Sequence, residues 1–267
     1  MRAVAVLAVL LLWPQVPSAG AEDPLGESRR LYNAGDYEAA ERAARTALLH
    51  LPTANAARVV LGRIQLERFR QSASPSHLAE ARASLREVDP RTLDPRERLE
   101  LTLGFAEVLF LEDRFAAAAE MFEPLVEAAV TLGLPAHERV LDWWATALDR
   151  HAQSRPTAER AAIYGRIARR MSAELARNPG SAPASYWTVA AARGSGDLDA
   201  AWSAAMAAWV RAALAHDRGA GLRGDLDRLI VQAIIPERAA RMAPRDAAPA
   251  ITGLLAEWES FKAGWAR

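Results

Sequence analysis

One spacing recurs three times in this chain. From Tyr37, small residues fall at Ala40, Ala44 and Ala47. Phe115 is followed by Ala118, Phe122 and Leu125, and Leu198 by Ala201, Ala205 and Ala208. Steps of three, four and three set each foursome on one face of an α-helix. Small side chains on such a face let a neighbouring helix approach closely. Gly35-Asp36 and Gly196-Asp197 stand just before two of the three. Glycine tolerates the dihedrals of a tight turn, and aspartate accepts hydrogen bonds from the first free N–H groups of a helix. The first foursome closes at Pro52. A pattern of this kind builds paired helices and leaves little room for a sheet.

Phe115 lies 78 positions beyond Tyr37, and Leu198 a further 83. Each gap holds two units of about 34 residues plus an insertion of about 10 or about 15. A hidden unit is therefore expected in each gap. In the first, Leu61-Gly62 reads as part of one helix, and Leu78, Leu85 and Val88 as a second that ends at Pro90. Gln71 to Ser76, rich in serine, reads as an inserted loop between them. In the second gap, Val140 to Leu148 with Trp143 and Trp144 forms one helix. Ala158 to Ala176 forms a longer one, ending at Asn178-Pro179-Gly180.

From Glu22 to Ala215 the chain resembles the tetratricopeptide repeat family, whose unit of about 34 residues carries Gly/Ala, aromatic, Ala and closing Pro positions. The resemblance implies an all-α fold, a right-handed α-solenoid of about five helix pairs, with residues 216–267 as C-terminal capping helices. Pro124 departs from the pattern, because it stands inside a second helix and removes a backbone donor there. The competing reading is an irregular helical bundle, in which abundant alanine produces such spacings by chance.

Residues 1–21 read as a secretory signal peptide. Arg2 starts it, Val4 to Trp13 is apolar but too short to span a bilayer, and Ala19-Gly20-Ala21 offers a cleavage site. An uncleaved anchor is the rival. The expected destination is the bacterial periplasm, with no stable membrane insertion after cleavage. The chain has no cysteine, which excludes a lipidated junction cysteine, so a lipoprotein is not expected, and excludes disulfides as well. The 33 basic and 33 acidic residues balance, and Lys262 is the sole lysine. That balance gives no support for nucleic acid as a partner.

No catalytic group is expected. The five histidines show no metal-ligand spacing, and no serine sits in a Gly-x-Ser-x-Gly elbow. No cofactor or metal is expected either. The paired carboxylates Asp197/Asp199 and Asp225/Asp227 read as helix starts. His216 to Gly224, with three glycines and two arginines, reads as a flexible connector, since it lacks the Gly-Lys-Ser/Thr ending of a phosphate loop. Beyond it, Leu226, Leu229, Ile230, Ala233 and Ile234 share one face, and Pro236 is expected to end that helix and open the next, Glu237 to Met242. A last helix runs from about Ala247 to Trp265.

In the family that the chain resembles, the first helices of successive units line a concave groove. By position, that groove would hold Arg29, Tyr32 and Asn33, then Arg63, Leu66 and Glu67. Glu107 and Phe110 follow, then Thr146, Asp149 and Arg150, and finally Arg193. The lysine and asparagine with which some members hold a terminal carboxylate are absent; Leu25 and Arg29 stand there. The implied function is that of an exported, non-enzymatic scaffold for a protein or peptide partner. Two alternatives are an envelope enzyme or small-ligand binder around Trp143, Trp144 and Trp187, and a homo-oligomer joined through the stripe Trp258, Phe261 and Trp265. Aromatic residues are enriched in such anchors.

Overall fold

The computed structural model describes residues 23–265, and every regular element among them is helical. The expected signal segment 1–21 and its cleavage point after Ala21 lie outside the described residues. The first ten α-helices fall into five consecutive pairs. These are α1 Pro24–Asn33 with α2 Tyr37–Ala47, and α3 Ala54–Ser72 with α4 Pro75–Arg86. Next come α5 Pro95–Leu111 with α6 Phe115–Ala128, and α7 Leu134–Gln153 with α8 Thr157–Arg177. The fifth is α9 Ala182–Ser195 with α10 Leu198–Arg211. Three more follow: α11 Ala220–Leu229, α12 Ile235–Met242 and α13 Ala248–Gly264.

Local chemistry sets these boundaries. The Asp36 and Asp197 carboxylates accept the N–H groups of Ala39 and Ala200 at the starts of α2 and α10. Asp94 and Glu97 form a reciprocal capping box at α5. Gly35 at φ 80° and Gly196 at φ 90° make the tight turns that fold α2 back on α1 and α10 on α9. Each helix packs chiefly on its neighbour in the chain. In addition α3 lies against α1 and α5, and α9 against α7 and α11.

All the repeated small positions face inward. Ala40, Ala44, Ala47, Ala118, Phe122, Ala201, Ala205 and Ala208 are wholly buried, with Leu125 and Leu198 nearly so. Three cores result. The first runs from α1 to α5 around Ile64, Leu66 and Leu85. The second runs from α5 to α9 around Phe122, Leu141, Trp144 and Met171. The third runs from α9 to α13 around Trp202, Leu226, Ile230 and Trp258. Helices α5 and α9 each bury residues in two cores, which ties the three together.

Several boundaries differ from those expected. No loop is inserted at 71–76: α3 runs to Ser72 and α4 starts at Pro75, joined through Ala73 in the left-handed conformation. The segment 216–224 is no long connector. The Asp217 carboxylate accepts the N–H groups of Gly219 and Gly221, and α11 begins at Ala220. Asp225 and Asp227 thus lie inside a helix and cap nothing. Asp225 pairs with Arg228, and Asp227 takes hydrogen bonds from Trp258 and Lys262. Pro236 opens the next helix as expected, but the helix before it is not broken there. A π-helical stretch, Ile230–Ile234, carries α11 into α12, and Pro236 stands in the first turn of α12. Among the described residues no helix is long and apolar enough to cross a membrane.

Candidate functional site

The polar residues of the odd-numbered helices α1, α3 and α5 meet on one side of the first core. Spacings of three, four and seven put Arg29, Tyr32 and Asn33 on one face of α1, and Arg63, Glu67 and Arg70 on one face of α3. Helix α5 presents Arg96, Glu100 and Glu107. The N-terminal turns of α7, with the Leu132 segment before them, close the far wall. A cavity of about 260 Å³ lies between these elements, lined by Arg29, Tyr32, Asn33, Val60, Arg63, Arg96, Glu100 and Arg139 among others.

Ion pairs stitch the walls together. Arg29 of α1 reaches Glu97 of α5 at 2.7 Å. Glu100, almost buried, stands 3.3 Å from Arg96 and 3.9 Å from Arg63. Below the cavity, Arg70 pairs with both Glu67 and Glu107 at 2.8 Å, and its guanidinium lies over the Trp143 ring at 4.6 Å. The Tyr32 hydroxyl donates to Glu67 at 3.3 Å, and Arg63 lies over the Tyr32 ring at 4.8 Å. Burial raises the pKa of the Tyr32 phenol and of the Glu107 carboxyl, the latter against the pull of Arg70 and Arg63. Burial opposes the charge on Arg63, but Tyr32, Glu107, Glu100 and Glu67 outweigh it and its pKa rises.

The structure divides the groove residues expected from sequence. Arg29, Tyr32, Asn33 and Arg63 line the cavity, and Glu67 and Glu107 form the network beneath it. Leu66 is wholly buried in the first core and offers no surface, because the position three after Arg63 has already turned inward. Phe110 packs edge-on against Phe115 at 5.5 Å. Asp149 and Arg193 belong to a separate cleft further along. There Asp149 accepts the Tyr164 hydroxyl at 2.8 Å, and Arg193 makes a forked contact with Glu237. Thr146 is half-buried and Arg150 exposed on α7, and neither lines the first cavity. Arg70, Arg96, Glu97, Glu100 and Arg139 were not expected at the site. The spacing Arg63/Glu67/Arg70 was the available signal for Arg70. No single-helix period signals Arg139, which arrives from the fourth pair.

The tryptophans are largely structural. Trp144 is buried at 1% exposure, and Trp187 is buried with its indole N–H donating to Asp142 at 2.7 Å. Of the aromatic stripe on α13, Trp258 is wholly buried. Its ring stacks on Phe261 and meets Trp202 and Trp209 edge-on. Trp258 therefore cannot dock a partner, and partly buried Phe261 and half-exposed Trp265 are what remain of that surface.

A larger acidic cleft of about 880 Å³ opens between α7, α9 and α11, lined by Glu138, Asp142, Asp217 and Asp225 beside Tyr186. Burial raises the carboxyls of Glu138 and Asp142 above their ordinary values. Among the described residues, no group of three or more metal-ligating side chains converges. Comparison with family models, with curated proteins and with solved structures returns no match to this chain.

Proposed function

We propose that this protein is an exported, non-enzymatic scaffold of the tetratricopeptide type, which holds a protein or peptide partner on the face formed by its first helices. In this reading the five helix pairs form a right-handed solenoid, α11 to α13 cap its open end, and residues 1–21 direct the chain to the periplasm. The observation that carries the reading is a separation of faces. The small residues of the second helices are spent on packing. The first helices turn Arg29, Asn33, Arg63 and Arg96 toward one shared cavity. The Arg29–Glu97 pair, spanning two units, supports a strongly curved array with that cavity on its concave side. Rigid helical faces leave specificity to side chains, as expected of a groove that receives an extended segment.

The test is site-directed photocrosslinking in the native envelope, with the photoreactive residue placed at Asn33 or Arg96. A discrete crosslinked protein, identified by mass spectrometry and lost when the photoreactive residue is moved to Arg42 on α2, is the expected result. Reproducible absence of any protein adduct overturns the reading. N-terminal sequencing of the exported chain checks the compartment: the expected first residue is Glu22, and an intact Met1 contradicts cleavage.

A further inference from the structure

We propose that the cavity between α1, α3, α5 and α7 is a binding site for a phosphate group, carried by free phosphate or a small phosphate ester. The first ground is the state of Arg63. Its side chain is only 19% exposed, yet its guanidinium makes no hydrogen bond to the protein among the described residues. Its nearest carboxylate oxygen, on Glu100, stands 3.9 Å away, beyond hydrogen-bond distance. Its Nε is buried without an acceptor, while the side chain lines the cavity. A guanidinium has five N–H donors in a rigid fork, and leaving the buried Nε–H unmet is costly. The cation–π contact with Tyr32 fixes the ring face of Arg63 and satisfies none of its donors.

The second ground is what surrounds it. Arg29, Arg96 and Arg139 line the same cavity, so four guanidiniums arrive from four different helices. Of these, Arg29 takes Glu97, and Arg96 shares Glu100 with Arg63. No carboxylate lies within 4 Å of Arg139 among the described residues. The Nε of Arg29 is buried without an acceptor as well. Among the described residues Glu100 is the one carboxylate lining the cavity, and Glu67 and Glu107 beneath it pair with Arg70. The cavity is thus short of acceptors and positive at its rim. Guanidinium forks approaching from several directions suit a tetrahedral phosphate, which offers three or four oxygens, better than a planar carboxylate, which offers two. At about 260 Å³ the space admits a phosphate and a small remainder of an ester.

The site shares its cavity with the partner face proposed above and does not depend on a partner being found. The experiment is calorimetric titration of the full chain at neutral pH and low chloride with inorganic phosphate, glycerol phosphate and succinate. Saturable binding of one phosphate or phosphate ester per chain is expected, with succinate at least about tenfold weaker. If inorganic phosphate binds and glycerol phosphate does not, the source is the free ion; the reverse order assigns the ester. Arg63→Met and Arg139→Met should each raise the dissociation constant about tenfold or more, and Arg42→Met on α2 should not. Arg139 is exposed, so its variant reads the site even if Arg63→Met fails to fold. No heat with either phosphate, succinate binding as tightly, or equal affinity in Arg139→Met would overturn the proposal. Phosphate binding without any crosslinked protein would uphold this site and reject the scaffold reading; a crosslinked partner without phosphate binding would do the opposite.

Discussion

Single side chains in this protein carry polar contacts between helices that are distant in sequence. His137, buried on α7, is held between the Val126 carbonyl at 2.8 Å and the Glu174 carboxyl at 3.0 Å, and so links α6, α7 and α8. Asp142 plays a similar part toward α9 by accepting the Trp187 indole N–H. Burial raises its pKa above the ordinary 3.8, against the hydrogen bond from Trp187, and nearby Asp225 adds to the rise. The sign follows from linkage. A carboxyl whose folded pKa is raised binds more protons in the folded state than in the unfolded one between the two values. Stability from this group therefore falls as pH rises through that interval. Asp142→Asn keeps an acceptor oxygen for Trp187 and removes the charge. The variant should gain on the native chain as pH rises from about 3.8 to neutrality, read as the difference in denaturation midpoints across that range. A difference that stays flat with pH, or reverses, contradicts the burial argument.

At the scale of elements, close approach is the rule, and it explains what could be read beforehand. The five helix pairs were legible because packing imposes a period: every small residue of the three-four-three spacing is buried. Loop lengths were not legible. Serine, proline and glycine mark the ends of helices without fixing the distance between them. At 71–76, Ser72 bonds back to the Arg68 carbonyl and closes α3, while Pro75 opens α4 three residues later. The half of the site on α1 and α3 was legible by position from the resemblance to a repeat family. Its ion-pair partners were not, since Glu97 lies 68 positions from Arg29 in sequence and meets it only in the fold. Gly62 shows the close approach most directly. A methyl group there would stand 2.6 Å from the Leu85 side chain, and one at Gly104 would stand 3.0 Å from it. Leu85, wholly buried on α4, thus fills the space that two glycines leave on α3 and α5. Helix propensity favours alanine at Gly62 by about 1 kcal/mol. Overpacking costs about 1–3 kcal/mol. Gly62→Ala should therefore lower stability by roughly 1 kcal/mol in denaturant unfolding. In a Leu85→Ala background the same change should be neutral or stabilising, because the clashing methyls are gone. Additive effects of the two substitutions would show that Leu85 does not set the spacing.

For the whole molecule, the last helix pair, α9 with α10, shares its core with α11 to α13. Helices α11 to α13 pack there through an aromatic cluster as well as the small residues used upstream. Trp258 sits between Trp202 and Trp209 of α10 and Phe261 of its own helix. Its indole N–H donates to Asp227 of α11 at 2.8 Å, and Lys262 pairs with the same carboxylate at 2.7 Å. One side chain thereby joins α10, α11 and α13. Trp265, just past the end of α13, is 51% exposed, and its ring meets the cluster at Phe261. The two tryptophans separate capping from docking. Trp258→Ala should cost about 3–5 kcal/mol, the usual range for emptying a buried aromatic site. Its unfolding should lose cooperativity first among α10 to α13, read by hydrogen exchange. Trp265→Ala should stay within about 0.5 kcal/mol, as an exposed substitution does. If α13 serves as a cap, both chains sediment as the native one does at the same concentration. If a second copy docks on the end of the stripe, Trp265→Ala dissociates it while leaving the unfolding midpoint of the isolated chain unchanged. A native chain that is monomeric at the highest concentration tested, together with an unstable Trp258→Ala, assigns the stripe to the cap alone.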